Sequence, residues 1–106
     1  LTERLRVDKW LWYARLCKTR ALAGTLCAEG AVDLDGARID RPARPVKVGT
    51  EVTLRQRGWE QRVKVLALGT RRGPATEARG LYEVVVPARA LPVGDGSWVP
   101  LLTLDD

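Results

Sequence analysis

Apolar residues recur at helical spacing early in the chain. Counting from Val7, Trp10, Leu11 and Ala14 fall at i+3, i+4 and i+7, with Cys17 one turn further. That stripe predicts an amphipathic helix with Lys9, Trp12 and Leu16 on its far side and Asp8 and Arg15 along one flank. A second helix is predicted from Thr19, whose hydroxyl caps free amides, and it buries Leu22, Ala23, Leu26 and Cys27. Leu22 stands where a capping box needs Glu or Gln, so the cap is a single bond. Gly30 supplies the left-handed residue that ends the helix.

After Gly30 the period drops to two. Val32 and Leu34 point one way, Asp33 and Asp35 the other, and Asp35-Gly36 is a hairpin turn. The return limb, Ala37-Arg38-Ile39, is short, and Arg41 to Pro45 is expected to be irregular because its two prolines lack ladder donors. A strand is predicted over Glu51 to Arg57, with Val52 and Leu54 inward and Thr53, Arg55 and Arg57 outward. Gly58 turns the chain into Arg62 to Leu68, and Leu81 to Val86 is the last strand. Between them, Gly69 to Gly80 is a loop in which Pro74 opens one or two helical turns. The expected fold class is α+β: two short N-terminal helices packed on a small, twisted, mostly antiparallel sheet. Residues 1–86 form one domain and 87–106 an irregular, acidic-ended tail.

Charge adds a direction to this picture. Residues 1–57 hold 12 basic and 7 acidic side chains, whereas residues 58–106 hold 6 of each. A basic half joined to a neutral half points to one face built for a polyanion. Lys18 and Arg20 flank the second helix start, and Arg15 lies about a turn upstream. Cations at a helix start oppose its dipole by about 0.3–1 kcal/mol each, so two of them there call for a compensating anion, and phosphate suits free helical amides. Arg38, Arg41, Arg44 and Lys47 form a second basic set, the expected far wall of a groove whose near wall is Arg6, Lys9, Arg15, Lys18 and Arg20.

Composition removes other classes. There is no His, which excludes a His-dependent triad, and two Cys alone argue against a structural zinc site. Cys17 and Cys27 are read as buried thiols in a reducing cytosol. No apolar run reaches membrane-spanning length and no hydrophobic signal core opens the chain, so a cytoplasmic protein is expected, without cofactor or metal. The absence of Met fits a trimmed sequence. Trp10 is assigned to the core; Trp12, beside Lys9 and near Tyr13, either stacks on an unpaired base or caps the sheet. Trp59, at a hairpin turn, and Trp98, in the tail, carry no readable signal.

The stretch RVDKWLWYARLCKTRALAGTLCAEGAVDLDG resembles the S-four RNA-binding domain. With EVTLRQ and RRGPATEARGLYE behind it, the chain is most similar to the fifteen-kilodalton ribosome-associated heat-shock protein family of bacteria, from about Arg6 to Glu83. The resemblance implies RNA contacts at Arg15, Lys18, Thr19, Arg20, Arg41 and Lys47, and gives Arg71 and Arg72 a role beyond solubility. Asp35 stands where the family often has Asn, so the hairpin tip is not expected to touch RNA. It further implies binding to ribosomal RNA of the large subunit, and recycling of free large subunits that carry a blocked nascent chain on tRNA during heat stress. The chain would be a monomer off the ribosome, and not an enzyme. Two alternatives remain: the RNA-binding module of a pseudouridine synthase or methyltransferase acting on rRNA, and a small helix-turn-helix DNA-binding protein.

Overall fold

Local signals set the element ends. Thr19 caps the second helix, its Oγ1 accepting from the Leu22 amide at 3.0 Å. At the far end the Ala31 amide bonds the Leu26 carbonyl and the Gly30 amide bonds the Cys27 carbonyl, with Gly30 at φ 78°. Those paired reverse bonds close the helix and need a left-handed residue where the glycine stands. Asp35 and Gly36, at φ 51° and 85°, make the expected tight hairpin.

The computed structural model of the chain describes residues 3–91; Trp98 and the acidic end lie outside the described residues. The order is β1 (Leu5–Arg6), α1 (Val7–Tyr13), α2 (Arg20–Ala28), β2 (Val32–Leu34), β3 (Ala37–Arg38), β4 (Pro45–Val46), β5 (Glu51–Gln56), β6 (Trp59–Val65), α3 (Ala75–Ala78), a 3-10 turn (Arg79–Leu81) and β7 (Tyr82–Ala90). Five strands form one antiparallel sheet in the order β3-β2-β5-β6-β7, and β1 pairs with β4 in a separate two-stranded ladder. The architecture is the expected α+β one. Val32, Leu34, Val52, Leu54, Val63 and Val65 bury one face of the sheet in the same cluster as Val7, Trp10, Leu11, Ala23, Leu26 and Cys27 of the helices.

Several expectations change. The first helix stops at Tyr13, because Arg15 turns left-handed (φ 60°) and the Leu16 and Cys17 amides both fold back to the Leu11 carbonyl. Cys17 is buried as expected, but from a linker rather than from a helix. Leu16, placed on the far side, and Leu22, placed in the core, are both half-buried against its edge. Pro45 belongs to a strand after all: in a two-residue ladder opposite Arg6, its missing donor costs nothing. The strand expected over Glu51 to Arg57 ends at Gln56, since Arg57 (φ 54°) and Gly58 (φ 78°) are the hairpin turn itself. β6 therefore starts three residues early and stops at Val65, while β7 continues four residues past Val86.

The outer face of the sheet is polar and paired. Thr53 is buried there, because the Arg62 side chain lies over it and donates to its Oγ1 at 3.2 Å. Arg55 donates to both oxygens of Asp33, at 3.1 and 2.8 Å, and to Glu60 at 2.8 Å. Those bonds hold Asp33 below its ordinary pKa and raise that of Arg55; Glu60 is lowered first by Arg89 and then by Arg55. Lowered carboxylates contribute stability that is full above the ordinary carboxylate range and is lost as pH falls through the lowered values. Replacing Arg55 by Leu strands Asp33, only 15% exposed, and leaves Glu60 with Arg89 alone. It should cost about 1.5–3 kcal/mol at pH 7, and less at lower pH, where Asp33 freed of Arg55 takes up a proton in the variant. Urea midpoints at pH 7 and at lower pH check this.

Candidate nucleic-acid interface

The linker between α1 and α2, residues 14–19, is held from three directions. Gln56 Nε2 donates to the Leu16 carbonyl at 2.8 Å. Arg72 Nη1 donates to the carbonyls of Trp12 at 2.6 Å and Cys17 at 3.2 Å, which places a cation at the negative end of α1. Arg15 Nε in turn donates to the Gly73 carbonyl at 2.7 Å. Lys18 therefore projects from a braced loop rather than from a free one. It is exposed and stands directly before the Thr19 cap of α2. The cap uses the third amide of that helix, so the Arg20 and Ala21 amides have no partner within it.

At the other end of α1 the near wall is partly neutralised. Asp8, expected on a helix flank, is 4% exposed and accepts both a bidentate pair from Arg6, at 3.0 Å each, and the Lys9 amide. Arg20 Nε lies 4.0 Å from the same carboxylate. The hydrogen bonds that Arg6 donates to Asp8, and then the Asp8 charge, raise the Arg6 pKa. Asp8 thus ties the starts of α1 and α2 together, and it takes up part of the charge of Arg6 and Arg20. Lys9 turns toward Tyr13, its Nζ 5.7 Å from the ring centre.

The second basic set splits. The Pro42 and Arg44 carbonyls accept from the Asp8 and Val7 amides, so the Arg41–Arg44 turn sits over the start of α1, beside Arg6. Arg44 and Lys47 line a pocket of about 190 Å³ together with Arg4, Asp35 and Thr50. Arg38 lies elsewhere: its stem packs on Gly30 and it stands opposite Asp33 in the hairpin. Its charge acts on Asp33, alongside those of Arg55 and Arg62.

The remaining candidates also separate. Arg71 pairs with Glu77 at 3.0 Å on the surface. The Arg72 guanidinium lies 5.4 Å over the Trp12 ring, and Tyr13 stands 5.9 Å from it, so Trp12 is packed as well as half-exposed. Trp10 is fully buried, as expected, with Nε1 donating to the Ala67 carbonyl at 2.9 Å. Cys17 and Cys27 are free thiols; burial pushes them to about 11 and about 12, against the Arg72 charge at Cys17 and with help from Asp8 at Cys27.

Sequence reasoning missed one part of the site. An open pocket of about 510 Å³ at the linker is lined by Arg15, Lys18 and Arg72, and also by Gln56, Arg57 and Trp59 of the β5–β6 hairpin. The hairpin was legible, but nothing in its sequence says that its tip returns to the linker some forty residues earlier. Arg15, Lys18 and Arg57 at the linker pocket and Arg41, Arg44 and Lys47 in the segment before β5 form no ion pair, unlike Arg6, Arg20, Arg55 and Arg71; the two groups lie toward opposite ends of β5. Among the described residues no cluster of three or more His, Cys, Asp or Glu side chains is placed to hold a metal, and no helix is long and apolar enough to cross a membrane.

Comparison with known proteins follows the same stretch. Residues 5–52 match the S4 domain. The chain is 46% identical over 79 residues to heat shock protein 15 of Escherichia coli K12, covering 74% of this chain and 59% of that protein. It is 38% identical over 81 residues to the heat shock protein 15 homolog of Haemophilus influenzae, covering 76% and 61%. It spans about three fifths of the length of those relatives. Among solved structures, the trimeric heat shock protein 15 of Vibrio cholerae superposes with a TM-score of 0.73 at 38% identity, covering 78% of this chain and 83% of that one.

Proposed function

The chain is an RNA-binding S4-domain protein of the heat shock protein 15 family, and from that premise we propose that its RNA is ribosomal RNA of the large subunit. The observation that carries the reading is the set of six cations, Arg15, Lys18, Arg41, Arg44, Lys47 and Arg57, left without carboxylates along the helix pair and its neighbouring turns. Each neutralises a phosphate and releases a counterion. Thr19 and the free amides after it hold the backbone in register, and Arg6 and Arg20 add what charge Asp8 leaves them. The chemistry asked of the site is binding. Folded RNA offers it mainly backbone and shape, with readable base edges confined to loops and bulges.

On this reading the protein works in the cytoplasm, as a monomer when off the ribosome. It engages free large subunits that still hold a blocked nascent chain on tRNA under heat stress, and allows their recycling. Sedimentation through sucrose gradients tests the proposal, with purified large subunits, small subunits and excess duplex DNA as competitor. The protein should travel with large subunits, more of it when they carry peptidyl-tRNA, and DNA should not displace it. Equal association with small subunits, or displacement by DNA, contradicts the assignment. A three-chain mass for the free protein, the assembly described for the Vibrio cholerae relative, contradicts the monomer.

A further inference from the structure

The pocket at the linker contains more than phosphate chemistry. Three arginines and a lysine line it, and none of its lining residues is acidic. Arg72 and Arg15 are partly spent on carbonyls, but Lys18 and Arg57 bond nothing in the described chain. Trp59 differs from the other tryptophans placed in the fold. Trp10 is buried and Trp12 is covered by Arg72, whereas Trp59 is half-exposed, has no aromatic or cationic neighbour over its ring, and donates from Nε1 to no partner.

The turn that presents it is costly. A two-residue hairpin with both positions left-handed favours Asn-Gly, and this one has Arg57 at the first position, φ 54°. Arg15, across the pocket, is also left-handed at φ 60°. Two arginines thus adopt a conformation unfavourable to them where both face the same opening of about 510 Å³, a volume suited to a small organic ligand. A half-exposed indole beside unpaired cations, with no carboxylate lining the pocket to repel an anion, matches one occupant: an aromatic ring bearing phosphate.

We propose that this pocket takes one unpaired nucleotide of the bound RNA, its base stacked on Trp59 and its phosphates held by Lys18 and Arg57. The inference rests on the RNA-binding reading and adds to it a preference for extruded bases over continuous duplex. Stacking on an aromatic side chain strengthens single-base binding by about tenfold or more and tolerates every base. Gln56, whose amide braces the linker through the Leu16 carbonyl, fixes the distance between the two sides of the pocket.

The test uses three labelled RNA hairpins at 50 mM salt: one with a single bulged adenosine, one with an abasic residue in the bulge, and one fully paired. The whole chain should bind the bulged adenosine on the order of tenfold more tightly than either of the others. Trp59→Ala should erase that preference while retaining affinity for the paired hairpin, and Trp59→Phe should restore most of it. Arg57→Asn improves the turn, so its melting temperature should hold or rise while bulged RNA binds severalfold more weakly. Loss of affinity there cannot come from unfolding. Salt-sensitive binding of all three hairpins with equal affinity, or a preference that survives Trp59→Ala, overturns this inference and leaves the phosphate-binding reading standing. Failure of all three to bind overturns both.

Discussion

Affinity for ribosomal RNA should fall on the order of a thousandfold when salt rises from 50 to 200 mM. The expectation comes from counting the cations of the linker pocket and of the Arg41–Lys47 segment that neither a carboxylate nor an aromatic ring holds. Arg15, Lys18, Arg41, Arg44, Lys47 and Arg57 make six, and each phosphate neutralised contributes about 0.9 to the slope of log affinity against log salt. Arg6 and Arg20 are left out because Asp8 already faces both, at 3.0 and 4.0 Å. Arg71 is omitted for its pair with Glu77, and Arg38 because it stands apart at the sheet edge. A slope near five supports this division of the basic residues. A slope of one or two would mean that the free cations are ordinary solvated charge.

Removing Trp10 should be the most damaging single truncation. Its indole is fully buried where α1 meets the chain after β6, and its Nε1 bonds the Ala67 carbonyl. Trp10→Ala should cost about 3–5 kcal/mol, from lost burial, the cavity left behind and a carbonyl deprived of its donor. For a chain of this size that lowers the melting temperature by about 12 degrees or more. Trp10→Phe keeps much of the volume and loses the hydrogen bond, so it should fall between the wild type and Trp10→Ala. Thermal unfolding followed by circular dichroism measures all three. A change of less than about 1 kcal/mol for Trp10→Ala would mean that α1 is not anchored through this residue.

What the sequence made legible is what short range decides. The Thr19 cap, the Gly30 stop, the Asp35-Gly36 turn and the alternation of Val32, Leu34, Val52 and Leu54 each depend on neighbours within a few residues, and all four stand in the fold. Errors gather where distant segments meet. Spacing put Asp8 on a flank, yet the Arg41–Arg44 turn covers it and two arginines converge on it. Periodicity carried the first helix toward Cys17, but Arg72, Gly73 and Gln56 hold the linker in another path. Arg72 drew notice only through resemblance, and its bonds to the end of α1 come from sixty residues away. Trp59 carried no pattern at all; its meaning depends on a hairpin folding back toward Lys18.

The charge reading fared in a corresponding way. A basic N-terminal half was visible from composition, and Lys18 at a capped helix start followed from local sequence. Which cations stay available for phosphate was not visible, since that depends on where the acids fold. Asp8, Asp33 and Glu60 each take up arginine charge through contacts that sequence alone does not reveal.

The proposed function depends on phosphate being held where α1 gives way to α2. The most direct measurement is the salt dependence of ribosomal RNA binding by the Lys18→Ala/Arg20→Ala double variant beside the wild type. The slope should fall by about one, from Lys18, since Arg20 already faces Asp8, and affinity at moderate salt should fall by on the order of tenfold. Both side chains are exposed, so the melting temperature should move by no more than about two degrees. An unchanged slope and affinity in a variant that melts like the wild type would place the RNA on some other surface.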